Sequence, residues 1–235
     1  MILRRDDTFR VVCNIRTPIG NGKENIGTGI FMTTNDNDVW IITAAHVAVD
    51  TNEYTYIAIA DDNSNCTTVT LKELNINLEW EYHSIADLAI IKITVNNNNI
   101  QFLRNRALPF DHFNTTMECV SRDFELTSVG FPNGLGIEDK FSPLTYRSFA
   151  SSSFLTLNRA DTNTPSDFFC LENPSVGGYS GCPVFDLGFY TNGTMTITKD
   201  KTICHGITHG TMIDLTGGKI ALITPAFYLL NFMNK

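Results

Sequence analysis

Short apolar, β-branched runs recur along the chain between clusters of Asn, Asp and Gly. In the first half these are Phe9–Ile15, Thr28–Thr33, Val39–Thr43, Tyr54–Ala60, Thr67–Leu71 and Leu88–Val95. In the second half they are Met117–Val120, Phe124–Gly130, Phe154–Leu157, Gly181–Phe185, Thr194–Thr198, Ile203–Thr208 and Lys219–Ile223. Runs of this length, bounded by turn residues, predict strands, and their unbroken succession predicts an all-β barrel or sandwich rather than alternating βα units. Helical patterning is confined to the C-terminus, where Pro225 suits a first turn and Ala226–Met233 follows. The Asn96–Asn99 run and the polar stretch Arg104–Asn114 divide the strands into two groups without a repeat between them. The expected organisation is an N-terminal barrel over 1–105, a linker over 106–118, and a C-terminal barrel over 119–235 that ends in a helix.

Composition narrows the function classes. Of 235 residues, 43% are hydrophobic and 18% charged, which excludes wholesale disorder. Lys+Arg 17 against Asp+Glu 25 leaves a net charge of −8, unsuited to neutralising phosphates, so nucleic acid is not an expected partner. The longest apolar stretches, near Val39–Val49 and Ile220–Met233, are too short or too interrupted to span a bilayer, so no membrane association is expected. The opening MILRRDDTFRVV has no apolar core of a secretory leader. Cys13, Cys66, Cys119, Cys170, Cys182 and Cys204 form no CxxC pair and no Cys–His cluster at zinc spacing. Free thiols in a reducing, cytoplasmic setting are expected, with no metal. The Asn-x-Thr triplets at Asn65, Asn114 and Asn192 then read as accidents of an Asn-rich chain.

Three segments carry candidate chemistry. Ile41-Ile42-Thr43-Ala44-Ala45 leads into His46; Asp87 opens Leu88-Ala89-Ile90-Ile91-Lys92-Ile93; Ser180 lies within Gly177-Gly178-Tyr179-Ser180-Gly181-Cys182-Pro183-Val184. Serine is a weak nucleophile until a base takes its proton, which histidine does near neutral pH. A carboxylate on the far imidazole nitrogen fixes the tautomer and stabilises the imidazolium. Glycines before the serine permit a tight turn that gathers backbone N–H groups. Singly, each segment has a plainer reading as a packed histidine, a strand-capping aspartate and a turn; jointly they describe one nucleophilic site. An α/β-hydrolase elbow does not fit, because it needs glycine where Cys182 stands and places its acid after the serine.

TAAH, DLAIIKI and GYSGCPV, in that order, resemble the trypsin/chymotrypsin-like serine peptidases. Gly27-Thr28-Gly29-Ile30-Phe31 is similar to that family's small-residue strand, and Ser128–Gly134 with Asn173-Pro174 looks most like bacterial HtrA-like catalytic domains. The resemblance runs from Gly27 to Phe227. It implies an all-β fold of two six-stranded antiparallel barrels with a C-terminal helix. It also implies a catalytic triad of His46, Asp87 and Ser180, with an oxyanion hole from the Gly178 and Ser180 amides. The implied activity is endopeptidase hydrolysis of protein or peptide substrates through an acyl-enzyme, with no metal or cofactor. Two other readings stand beside it: a peptide-binding module without turnover, and a latent subunit activated by a protein partner.

The departures from the family are informative. The position before the nucleophile, an aspartate in digestive trypsins, is Tyr179, so a new N-terminus at Val11 after cleavage at Arg10 would find no partner; a trypsin-type zymogen is not expected. Val47 and Val176 stand where relatives carry disulfide cysteines. Cys182 is expected as a small buried hydrophobe, with a bridge to Cys204 or redox control as the sharper alternative. Substrate is expected along Gly206–Gly210 as an added strand, with Ser175, Val176, Thr208, His209 and Gly210 walling the pocket. Pro174, at the offset of the trypsin pocket aspartate, argues against Arg or Lys preference. Thr208 holds the position of a pocket histidine found in relatives, and His209, one residue later, is expected on the opposite face, structural or at the cleft rim, with an acidic or Gln P1 preference as the alternative. Leu135–Ser166 is expected as a mobile insertion, or as a segment that orders the oxyanion hole when a partner binds. No PDZ-like module is expected after the second barrel.

Overall fold

The computed structural model describes residues 1–34, 38–74, 78–93, 103, 106–192, 194–213, 215 and 217–233. The Asn96–Asn99 run lies outside the described residues. After a single helical turn, α1 (Arg5–Thr8), the first sheet is built from β1 (Val12–Gly20), β2 (Lys23–Thr33), β3 (Val39–Thr43), β4 (Tyr56–Ala60), β5 (Cys66–Thr70), β6 (Glu81–Tyr82), β7 (Ala89–Ile93) and β8 (Leu108–Pro109). Its order is β5-β4-β1-β2-β3-β7-β6, all antiparallel, with β8 pairing parallel to β2. The second sheet contains β9 (Leu126–Gly130), β10 (Leu144–Ser148), β11 (Leu155–Asn158), β12 (Pro165–Leu171) and β13 (Pro183–Asp186). A two-stranded ribbon of β14 (Phe189–Asn192) and β15 (Met195–Thr198) projects from it before β16 (Ile203–Ile213) and β17 (Lys219–Pro225) complete it. Its order is β10-β9-β13-β16-β17-β12-β11. The chain closes with a 3-10 turn over Ala226–Leu229 and a short helix, here α3, over Leu230–Met233, preceded in sequence by α2 (Ala45–Val49) in the first half. The fold is all-β in two antiparallel sheets with a short C-terminal helix.

The apolar runs are continuous because several strands are buried on both faces. On β3, Ile41 packs inside the first sheet with Phe31, Ile57 and Ile91, while Ile42 faces the interior shared by both sheets. Ile30 and Ile90 also face that shared interior, where they meet Val129, Phe185, Ile207 and Phe227 of the second half. Asn21-Gly22 closes the β1–β2 hairpin with positive φ at both residues, the backbone this tight turn demands.

One expected strand is absent and one strand is present where none was expected. Met117–Val120 is loop, not strand: the Asn114 side chain accepts from the Thr116 amide and donates to the Glu118 carbonyl, offering the backbone a turn instead of a ladder. Within Leu135–Ser166 the expected strand Phe154–Leu157 appears as β11, and the same segment also holds β10, where no strand was expected; the two pair into opposite edges of the second sheet.

Candidate active site

Antiparallel register brings the histidine to the aspartate. Thr43, the last residue of β3, pairs with Ala89, the first of β7, so the chain leaving β3 and the chain entering β7 run side by side. His46 lies in the turn of α2, and Asp87 sits two residues before β7. His46 Nδ1 is 2.7 Å from Asp87 Oδ2, and the His46 backbone N–H donates to Asp87 Oδ1 at 3.0 Å. Asp87 is fully buried. Burial alone would raise its pKa, yet hydrogen bonds from His209 and His46 and the charges of both hold it well below the usual carboxylate range. Burial pulls His46 down, and its bond to the Asp87 charge more than compensates, leaving it above its ordinary value.

Ser180 arrives from the second sheet. Pro183 of β13 pairs with Ile207 of β16, so the turn preceding β13 lies against Thr208 and His209. Gly181 N–H donates to the Thr208 carbonyl at 2.8 Å, and Thr208 N–H donates to the Cys182 carbonyl at 2.9 Å. The same turn is stitched to the first sheet: Thr28 N–H donates to the Ser180 carbonyl at 2.8 Å and Thr28 Oγ1 to the Gly178 carbonyl at 2.9 Å. Gly181 cannot be replaced here, since its φ is +83° and a Cβ would stand 2.1 Å from the Thr28 carbonyl oxygen. The Ser180 hydroxyl donates to the His209 carbonyl at 3.3 Å.

The amides ahead of Ser180 are held from behind. Asn133 N–H donates to the Gly177 carbonyl at 2.7 Å. In a trans peptide the carbonyl and amide point opposite ways, so the Gly178 N–H is turned away from Asn133. Among the described residues, neither the Gly178 nor the Ser180 amide makes a hydrogen bond. The turn Pro132–Gly134 that supplies Asn133 is pinned by Arg16 of β1, whose guanidinium donates to the Gly134 carbonyl at 2.7 Å.

His209 occupies a place different from the pocket wall. A register shift between Thr208 and Gly210 makes it the extra residue of a β-bulge against β17, and bulges re-aim side chains. Its Nδ1 lies 2.5 Å from Asp87 Oδ2, and its ring packs beside Phe168, 6% exposed. Thr208 instead lines a small cavity with Ser175, Tyr146, Ser148, Tyr179 and Ala221, of about 10 Å³, room for about one water. The Val176 backbone carbonyl accepts from the Tyr179 amide at 3.0 Å, and the Gly210 position opens on unfilled space. Tyr179 is buried, its hydroxyl donating to the Leu144 carbonyl at 2.8 Å and its ring stacked on Tyr146. Cys182 and Cys204 are buried thiols pushed up to about 12 by burial, and all six cysteines are free. The Val47 side chain fills the space beside Gly27, where a Cβ would come within 2.4 Å of it.

His46, Asp87 and His209 place three ligand-type atoms within 4.8 Å of one another, which raises the question of a metal. The separations of 2.7 and 2.5 Å are those of hydrogen bonds. Ligands of one ion, each about 2.1 Å from it, stand about 3.4 Å apart in a tetrahedral site. A fourth donor, Arg159, brings a positive charge to the same carboxylate. Arg159 is the member that sequence reasoning missed, and for His209, which it named, it did not foresee the bond to Asp87. Arg159 sits in a polar turn with no motif, and a bulge leaves no periodic trace.

Two antiparallel sheets that meet at a His–Asp pair and a serine turn define a chymotrypsin-like hydrolase scaffold. Residues 27–189 match the trypsin-like peptidase domain, and the chain belongs to that family of serine peptidases. The active form of the Rv3671c protease from M. tuberculosis is similar over 98% of this chain and 82% of its own, at 17% identity and a TM-score of 0.64. Its inactive form gives 16% identity, 97% and 87% coverage and a TM-score of 0.62. A serine-to-alanine variant of the HtrA-type protease AlgW, solved with a decapeptide, gives 15% identity, 99% and 66% coverage and a TM-score of 0.57. At these identities the likeness is one of fold. No curated protein sequence matches the chain.

Proposed function

We propose that this peptidase is an endopeptidase that cleaves protein substrates through an acyl-enzyme formed on Ser180. Ser180 Oγ attacks the scissile carbonyl carbon as His46 takes its proton; His46 then protonates the departing amine. Water repeats the sequence, releasing the acid and restoring Ser180. Asp87 orients His46, and the Gly178 and Ser180 amides receive the oxyanion. The observation that carries this reading is the 2.7 Å contact of His46 with a fully buried Asp87, beside a serine turn whose two amides are unspent. The cavity behind Ser175 and Thr208 has no charged side chain in its lining, which supports cleavage after small, uncharged residues. Six free thiols support work in a reducing compartment such as the cytoplasm.

One contact favours the latent reading: the Ser180 hydroxyl is bonded to the His209 carbonyl. Catalytic hydrogen bonds often tighten only with substrate in place. A fluorophosphonate probe tests both readings. The free protein is expected to be labelled, with labelling abolished in Ser180→Ala and in His46→Ala. Labelling that appears only after a partner protein is added would establish latency, and no labelling under any condition would leave a peptide-binding module.

A further inference from the structure

We propose that Arg159 is a positioning residue of this hydrolase: from the β11–β12 turn of the second sheet it locks the Asp87 carboxylate, and the segment leading to it, in the orientation that faces His46. The inference rests on the reading of Ser180, His46 and Asp87 as the reacting set.

The guanidinium is 6% exposed and all five of its N–H groups are spent. Its Nη1 donates to the carbonyls of Ile85 and Ala86 at 3.2 and 2.9 Å. Its Nη2 donates to Asp87 Oδ1 at 3.3 Å and to Asp161 Oδ2 at 2.5 Å, and its Nε donates to Asp161 Oδ1 at 3.0 Å. One side chain thus grips three consecutive residues, 85 to 87, of the loop that delivers the acid. The turn that presents it is closed by its own backbone: Arg159 N–H donates to the Thr164 carbonyl, and Asn163 N–H to the Arg159 carbonyl, each at 2.9 Å. With the His46 amide, the two imidazoles and Arg159, the Asp87 carboxylate receives four donors and cannot rotate without breaking several.

The grip has an electrostatic consequence. The groups facing His46 are Asp87 ahead of β7, His209 on β16, Arg159 and Asp161 on the β11–β12 turn, and Asp50 at the end of its own helix. Arg159 opposes a proton on His46 and Asp161 favours one. Removing either charge must therefore move the protonation of His46, in opposite directions. A side chain that served packing alone would lower stability or kcat without such a signed pair.

The test follows the His46 Hε1 resonance against pH in full-length Ser180→Ala protein, alongside kcat/KM against pH in the active chain. Arg159→Met is expected to raise the His46 midpoint, and the acid limb of activity, by about half a pH unit, and to cut kcat about tenfold. Asp161→Asn, which leaves the buried guanidinium in place, is expected to lower both midpoints. Arg159→Lys is expected to keep the midpoint near that of the parent but not to restore kcat, because an ammonium cannot reach all the partners of a fork. Unchanged midpoints in both Arg159→Met and Asp161→Asn overturn the proposal. Should Arg159→Met not fold, Arg159→Lys decides it: a kcat lowered while the His46 midpoint stays near that of the parent supports the grip of the fork, and a parent-like kcat overturns it. The resonance needs no turnover, so a chain that shows the signed shifts yet never reacts with a fluorophosphonate would retain this inference while losing the peptidase reading of Ser180.

Discussion

At the scale of single residues, the site depends on backbone that only glycine supplies and on thiols that burial silences. Gly178 has φ of +93°, and a Cβ there would lie 2.3 Å from the Phe131 carbonyl oxygen. Gly178→Ala is therefore expected to tilt the peptide whose amide is proposed to receive the oxyanion and to lower kcat by about 10²- to 10³-fold. Steady-state kinetics on a peptide ester would reveal this, and an unchanged kcat would remove Gly178 from the oxyanion hole. The sharper reading of Cys182, as a redox handle, loses its basis once the thiol is fully enclosed and hard to ionise. Titration with a thiol reagent at neutral pH should modify only Cys66 and Cys119 in the folded chain, and all six cysteines after denaturation. Rapid native modification of Cys182 would reopen the question.

At the scale of elements, the two sheets supply different parts, and smaller pieces hold the parts at their working distance. The Pro132–Gly134 turn is one such piece, clamped by Arg16 on one side and clamping Gly177 on the other. Arg16 also pairs with Glu24 at 2.7 Å, partly shielded from solvent. Arg16→Ala is expected to cost about 1 kcal/mol of stability, while slowing fluorophosphonate labelling by about tenfold as the turn loosens. Loss of stability without any change in labelling would confine Arg16 to the β1–β2 hairpin. Patterning disclosed much at this scale. The β3 and β7 strands were legible because burial of most of their residues makes them largely apolar runs, and His46 and Asp87 were legible because each sits at the end of such a run. The serine turn announced itself through its glycines. By contrast, β10 with its Leu-Thr-Tyr-Arg-Ser sequence has mostly half-exposed side chains and no sustained apolar run, so composition hides it. His209 was misplaced because the shift that turns it toward Asp87 belongs to pairing between distant strands. The grip of Arg159 on residues 85 to 87 depends on contacts across more than seventy positions of chain.

At the scale of the whole molecule, a half-buried histidine and a buried one set the response to acid. Burial pushes His205 down to about 4, and burial with the nearby Arg159 charge lowers His83, whose Nδ1 accepts from the Ile85 and Ala86 amides. In the unfolded chain both titrate near 6.5, so below that pH the unfolded state binds protons that the folded state refuses. Stability from these two groups is full above pH 6.5 and declines as the pH falls toward 4. His46, raised above its ordinary value, works in the opposite sense: its contribution is present in acid and is lost as the pH rises through its folded-state value. The depressed pair is expected to prevail, lowering unfolding free energy in urea by about 2 kcal/mol between pH 7.5 and 4.5. His205→Asn should flatten that slope, and an equally steep decline in the variant would place the acid sensitivity elsewhere.

The stitching of the serine turn to Thr28 has a consequence for the life of the nascent chain. Synthesis delivers the first sheet early, carrying a histidine and an aspartate but no nucleophile. Ser180 follows more than ninety residues after Asp87, and its turn takes its final shape only when the first sheet, β13 and β16 close around it. A partly made or half-folded chain therefore has no assembled hydrolytic centre. The centre proposed here is thus a product of both halves of the chain, since the serine turn meets Thr28 only where the two sheets close on each other.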